Sequence, residues 1–110
     1  MIVLATDAPL TARQLQRLAK RAAFGLGRTG TACHHGSGDF VIAFSTQQPT
    51  QIERDGEALD RLFTAVVDCV EQAVYHALLA ATTITGRAGN TLYALPHDDV
   101  QRLVLGNTGA

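Results

Sequence analysis

Tryptophan is absent from the sequence, and the aromatic complement is four Phe and two Tyr. A chain so poor in flat rings has no aromatic series on which nucleic-acid bases stack. A dominant charge is missing too: nine Lys and Arg stand against ten Asp and Glu, a formal net charge of -1. That balance gives no global attraction to nucleic acid or to an anionic membrane. Only two cysteines occur, Cys33 and Cys69, far apart in unrelated contexts. They supply no disulfide framework, and two reduced thiols suit a cytoplasmic setting. The N-terminus carries no basic leader and meets Asp7 before a secretory apolar segment can develop, so no signal is expected there. Long hydrophobic runs are also lacking. The charge-free stretch between Glu71 and Arg87 contains Gln72 and His76 and falls short of the ~20 apolar residues of a bilayer span.

What is present is the composition of one soluble globular domain over residues 1–110, with 46% hydrophobic and 17% charged residues. A chain this short buries a smaller fraction of its surface than a larger domain does, which leaves little margin for exposed apolar area. The run "MIVLA" at 1–5 reads as a buried strand, ended by Thr6, Asp7 and Pro9. Thr11 is placed to cap a helix running to about residue 26, with Leu15, Leu18, Ala19, Ala22 and Leu26 at helical spacing. Its other face carries Arg13, Arg17, Lys20, Arg21 and Arg28, which read as a solvated face or a subunit contact. The glycines at 25, 27 and 30 are expected to break this helix. A second strand follows at 39–46, then a polar surface loop at 47–57. A long helix is expected over 59–85, a third strand over 91–95, and a short terminal helix after Asp98 as its cap. One sheet layer with helices makes this an α/β chain. The long helix becomes apolar on nearly every side after Ala73, which calls for further cover.

Three patterns invite a site. "GLGRTG" matches the glycine fingerprint of a dinucleotide loop, but a helix precedes it where a strand is required. Cys33, His34, His35 and Asp39 share a loop without a standard zinc-ligand spacing, and Cys69 and His76 on the long helix read as structural. No metal or other cofactor is expected. In "HHGSGDF", Ser37 stands between two glycines at the entrance to a strand, the reverse of a nucleophile elbow, where the strand comes first. By chemistry alone Ser37 is a turn residue.

Five ordered segments add a resemblance: "ATDAPL" at 5–10, "RTG" at 28–30, "HGSGDF" at 35–40, "AFST" at 43–46 and "ALPHD" at 94–98. Together they resemble the C-terminal, β-subunit part of the self-processing L-aminopeptidase/D-esterase family, the DmpA type, which includes β-peptidyl aminopeptidases. The resemblance implies half of a four-layer αββα sandwich, completed by a larger α subunit from the same precursor, and an oligomer of such heterodimers. It implies an aminopeptidase, amidase or esterase acting on small peptides, amides or esters. The nucleophile in this family is a Ser or Thr freed at a chain N-terminus by self-cleavage, about two residues upstream of Met1 by analogy. Met1 is neither, so this chain alone is expected to be inactive. Ser37 and Asp39 match the family's serine and acidic residue that orient the nucleophile, while Phe40 departs from the expected aliphatic residue. The alternative is a non-catalytic relative or fragment that serves as an assembly partner.

Overall fold

The two apolar runs form β1 (Ile2–Thr6) and β2 (Val41–Ser45) in a computed structural model that describes residues 1–50 and 56–106. They pair in parallel, Ile2 opposite Val41 and Thr6 opposite Ser45. Parallel neighbours require a crossover, here the helix α1 (Ala12–Arg28). Thr11 caps it as expected. Its Oγ1 accepts the Gln14 N–H at 3.4 Å, and Gln14 Oε1 accepts the Thr11 N–H at 2.9 Å, a reciprocal capping box.

A second helix, α2 (Glu57–Ala80), is followed by β3 (Ile84–Thr85), a short 3-10 turn at Arg87–Gly89, β4 (Thr91–Leu92) and α3 (His97–Leu105). The chain divides into two compact units, Met1–Ala73 and Val74–Ala110. In the first unit, Leu10, Leu18, Ala22, Leu59, Val66 and Val70 form the core. Both strands alternate between half-buried and exposed positions. Ile2, Leu4 and Val41 pack towards the core, while Val3, Ile42 and Phe44 lie on the exposed face. In the second unit β3 and β4 are antiparallel, Ile84 opposite Leu92, and Thr85 Oγ1 lies 3.0 Å from Thr91 Oγ1.

Several expectations are corrected. Gly25 and Gly27 do not break α1, which continues to Arg28; the chain turns at Gly30, whose φ of 90° is in the region that favours glycine. Gly25 instead marks close contact between α1 and α2. A Cβ there would stand 2.6 Å from the Val67 carbonyl oxygen and 2.7 Å from Val70 Cβ. The basic face of α1 is not simply solvated either. The Arg17 and Arg21 guanidinium groups lie 5.2 and 4.0 Å from the centroid of Phe63 on α2, within cation–π range. Arg28 reaches Asp68 at 2.5 Å and Glu71 at 3.3 Å. Asp68, foremost, and Glu71 hold the Arg28 guanidinium above its ordinary pKa, against a desolvation that lowers it.

The long helix ends at Ala80, short of residue 85, because Thr82, Thr83, Ile84 and Thr85 are β-branched and better suited to extended backbone. Asp98 lies inside the first turn of α3 and Pro96 takes the cap position; Asp98 and Asp99 suit the positive end of the helix. The expected 47–57 loop includes residues 51–55, which lie outside the described residues. By length and composition α2 is also able to cross a bilayer, which the charge-free run alone does not suggest. Its first part instead contributes Leu59, Val66 and Val70 to the core, and Asp68 and Glu71 sit in the ion pairs with Arg28.

Candidate active site

The loop between α1 and β2 is built from local hydrogen bonds. Thr29 and Gly30 donate their N–H groups to the carbonyls of Leu26 and Gly27, closing the helix end. Cys33 then adopts a φ of 47°, unusual for a residue with a side chain, and its N–H donates to Thr31 Oγ1 at 3.2 Å. A tight turn follows, the Ser37 N–H donating to the His34 carbonyl at 2.7 Å. The turn presents Ser37 to Asp39. Ser37 Oγ donates to Asp39 Oδ2 at 2.6 Å, the short range expected of a hydroxyl on a carboxylate.

Both side chains are exposed, and neither is exhausted by this bond. The Ser37 oxygen keeps lone pairs, and Asp39 keeps its second oxygen. One residue further on, the Phe40 carbonyl accepts the Ile2 N–H at 2.8 Å. The start of β1 is therefore fastened beside the loop that carries Ser37 and Asp39.

Of the other sequence candidates, Cys33 and Cys69 are free, exposed thiols, and His34, His35 and His76 are exposed. Among the described residues no three His, Cys, Asp or Glu side chains converge as a metal-binding group would. "GLGRTG" spans the end of α1 and the turn after it, the reverse of a phosphate loop leading into a helix. Residues 1–92 match the family model of peptidase family S58, a span that includes β1, Ser37 and Asp39.

The chain belongs to peptidase family S58. Peptidases of this family are hydrolases. Among curated relatives, the chain is 38% identical over 115 residues to the β-peptidyl aminopeptidase BapA of Sphingosinicella xenopeptidilytica. It is 40% identical over 114 residues to the β-peptidyl aminopeptidase BapA of Sphingosinicella microcystinivorans. Each alignment takes in 94% of this chain but 29% of the relative. The chain thus spans under a third of the curated relatives it matches. In the crystal structure of the PH0078 protein from Pyrococcus horikoshii OT3, a region 40% identical in sequence superposes with a TM-score of 0.82. That match covers 97% of this chain and 33% of the other. The S58 chain is a small mixed α/β unit corresponding to part of that structure.

Sequence reading missed the surroundings of Asp39. Gln16 and Lys20 of α1 line the same groove as Asp39 and Val41. The available signal was their i, i+4 spacing beside the small residues Ala19 and Ala23, which leaves a furrow next to a polar edge.

Proposed function

We propose that residues 1–110 are the β-subunit portion of an aminopeptidase, amidase or esterase that releases N-terminal residues from small peptides, amides or esters. Its nucleophile is an N-terminal Ser or Thr on the chain just ahead of Met1. The observation that carries this reading is the 2.6 Å bond from Ser37 Oγ to Asp39 Oδ2, held beside the start of β1 by the bond from Ile2 to Phe40.

The nucleophile's own α-amine, with an ordinary pKa of about 8, takes the hydroxyl proton as the oxygen attacks the substrate carbonyl. Asp39 holds the resulting ammonium through its second oxygen. Ser37, committed as a donor to Asp39, presents lone pairs to the nucleophile's O–H or N–H and fixes its direction. The tetrahedral intermediate collapses by breaking the bond to the leaving amine or alcohol, which receives the proton. Water then attacks the acyl-enzyme and restores the hydroxyl, with oxyanion donors supplied mainly by the companion subunit.

The companion is a larger α subunit from the same precursor, and the pair forms a four-layer αββα sandwich within an oligomer of heterodimers. The exposed Val3, Ile42 and Phe44 support that arrangement, because parallel sheets are normally covered on both faces. No cofactor enters the chemistry, and two free thiols suit a cytoplasmic protein.

The test is Asp39→Ala in the complete processed protein, assayed on an amino-acid p-nitroanilide. Turnover is expected to fall by about 100-fold or more, the scale of losing a group that steers proton transfer. The exposed side chain should leave stability within about 0.5 kcal/mol. Unchanged turnover would make Asp39 a loop residue and remove it from the site.

A further inference from the structure

A groove of about 450 Å³ runs between α1 and the entrance to β2, lined by Asp39, Val41, Leu26, Ala23, Lys20 and Gln16. Its chemistry changes along its length. Because α1 returns from the end of β1 to the level where β2 starts, Leu26 lies at the Asp39 end. Lys20 and then Gln16 lie progressively farther away on the same helix. The carboxylate end is the candidate active site, the middle is walled by small and apolar side chains, and the far end offers an ammonium and an amide. Lys20 is exposed and makes no salt bridge among the described residues.

Leu26 and Lys20 are separated by six positions of α1, about 9 Å of helix at ~1.5 Å per residue. An extended peptide covers that distance in two to three residues at roughly 3.3–3.6 Å each. We propose that the groove holds the leaving-group side of a short peptide substrate and that Lys20 pairs with the peptide's C-terminal carboxylate. This rests on the functional reading above. It adds a substrate class, peptides of about three to four residues with a free C-terminus, the one acyl residue being counted with the two to three in the groove. Lys20 is a specificity-determining residue here and touches no reacting atom.

Kinetics and occupancy test the proposal separately. In the complete processed protein, tri- and tetra-alanine are compared as free acids and as C-terminal amides, with the native sequence, Lys20→Met and Lys20→Arg. An exposed ion pair of the usual strength predicts a KM about two- to fivefold lower for the free acid. Lys20→Met should abolish that preference without lowering kcat on the amide, and Lys20→Arg should restore it. Cys33 also lines the groove, so N-acetyl-trialanine free acid should slow its alkylation by iodoacetamide, read by peptide mass. Cys69, outside the groove, should react at its usual rate.

Turnover with equal KM for acid and amide, or a preference that survives Lys20→Met, overturns the groove assignment while leaving the functional reading intact. Turnover without protection of Cys33 does the same. Protection of Cys33 by the acid and not by its amide, with no turnover of either substrate, supports the groove and sinks the functional reading alone. Neither turnover nor protection overturns both.

Discussion

The two units of this chain solve the burial problem differently. Met1–Ala73 owns every buried hydrophobic residue among those described, from Leu10 to Val70. The described residues of Val74–Ala110 include none, and leave Leu92, Tyr93, Leu103 and Val104 more than 60% exposed. The cause lies in the elements. A parallel strand pair with a crossover helix has a face to bury and, with α2, the means to bury it. A two-residue hairpin followed by a nine-residue helix offers apolar side chains with no layer to receive them. The first unit is organised from within, and the second presents the surface of a part that fits against something larger. The span of under a third of the curated relatives agrees with that difference.

The comparison can be broken at its strongest point first. Leu18, 3% exposed at the centre of the first core, should cost about 2–5 kcal/mol when changed to Ala, read from urea melts of the chain. Next comes the helix contact. Gly25→Ala should destabilise by about 1–3 kcal/mol despite alanine's better helix propensity, because the new methyl meets the Val67 carbonyl. Gly27→Ala, with nothing within 4 Å, should instead stabilise by roughly 0.5–1 kcal/mol. Equal effects at the two glycines would remove the tight contact between α1 and α2.

Arg28→Met should lower the melting midpoint slightly, and the loss should vanish in about 1 M salt, since the pairs with Asp68 and Glu71 are exposed. The sign of the raised Arg28 pKa is consistent with this. Its contribution is fully present below the ordinary arginine range and is lost only as pH rises through the raised folded value, so titration of Arg28 gives no change across neutral pH. The smallest effect is expected at Leu103→Ala, within about 0.5 kcal/mol in the chain alone. A cost as large as that at Leu18 would mean that the second unit has a core of its own.

The elements with strong local signals were legible: the β-prone run of β1, the cap at Thr11, and the helical spacing from Leu15 to Leu26. What escaped was tertiary. Nothing local distinguishes Gly25, seated against Val70, from Gly27, which faces open space. Nor does the sequence tell that Arg17 and Arg21 lie over Phe63 rather than in water. The apolar run continues past Ala80, but β-branching rather than apolarity decides the helix end there. At the candidate site, Ser37 and Asp39 were singled out by their likeness to a family pattern. Their mutual bond depends on the local turn geometry, and the tether from Ile2 to Phe40 joins residues far apart in sequence.

The most direct test of the central proposal, that this chain follows the N-terminal nucleophile of a self-cleaving peptidase, is denaturing intact-mass spectrometry of the protein from its native source, with each chain's N-terminal residue determined. The account predicts two species, a larger companion and a smaller chain that begins with Ser or Thr and continues into the sequence from Met1. A single species beginning at Met1 would contradict it, leaving the fold without the chemistry proposed for it.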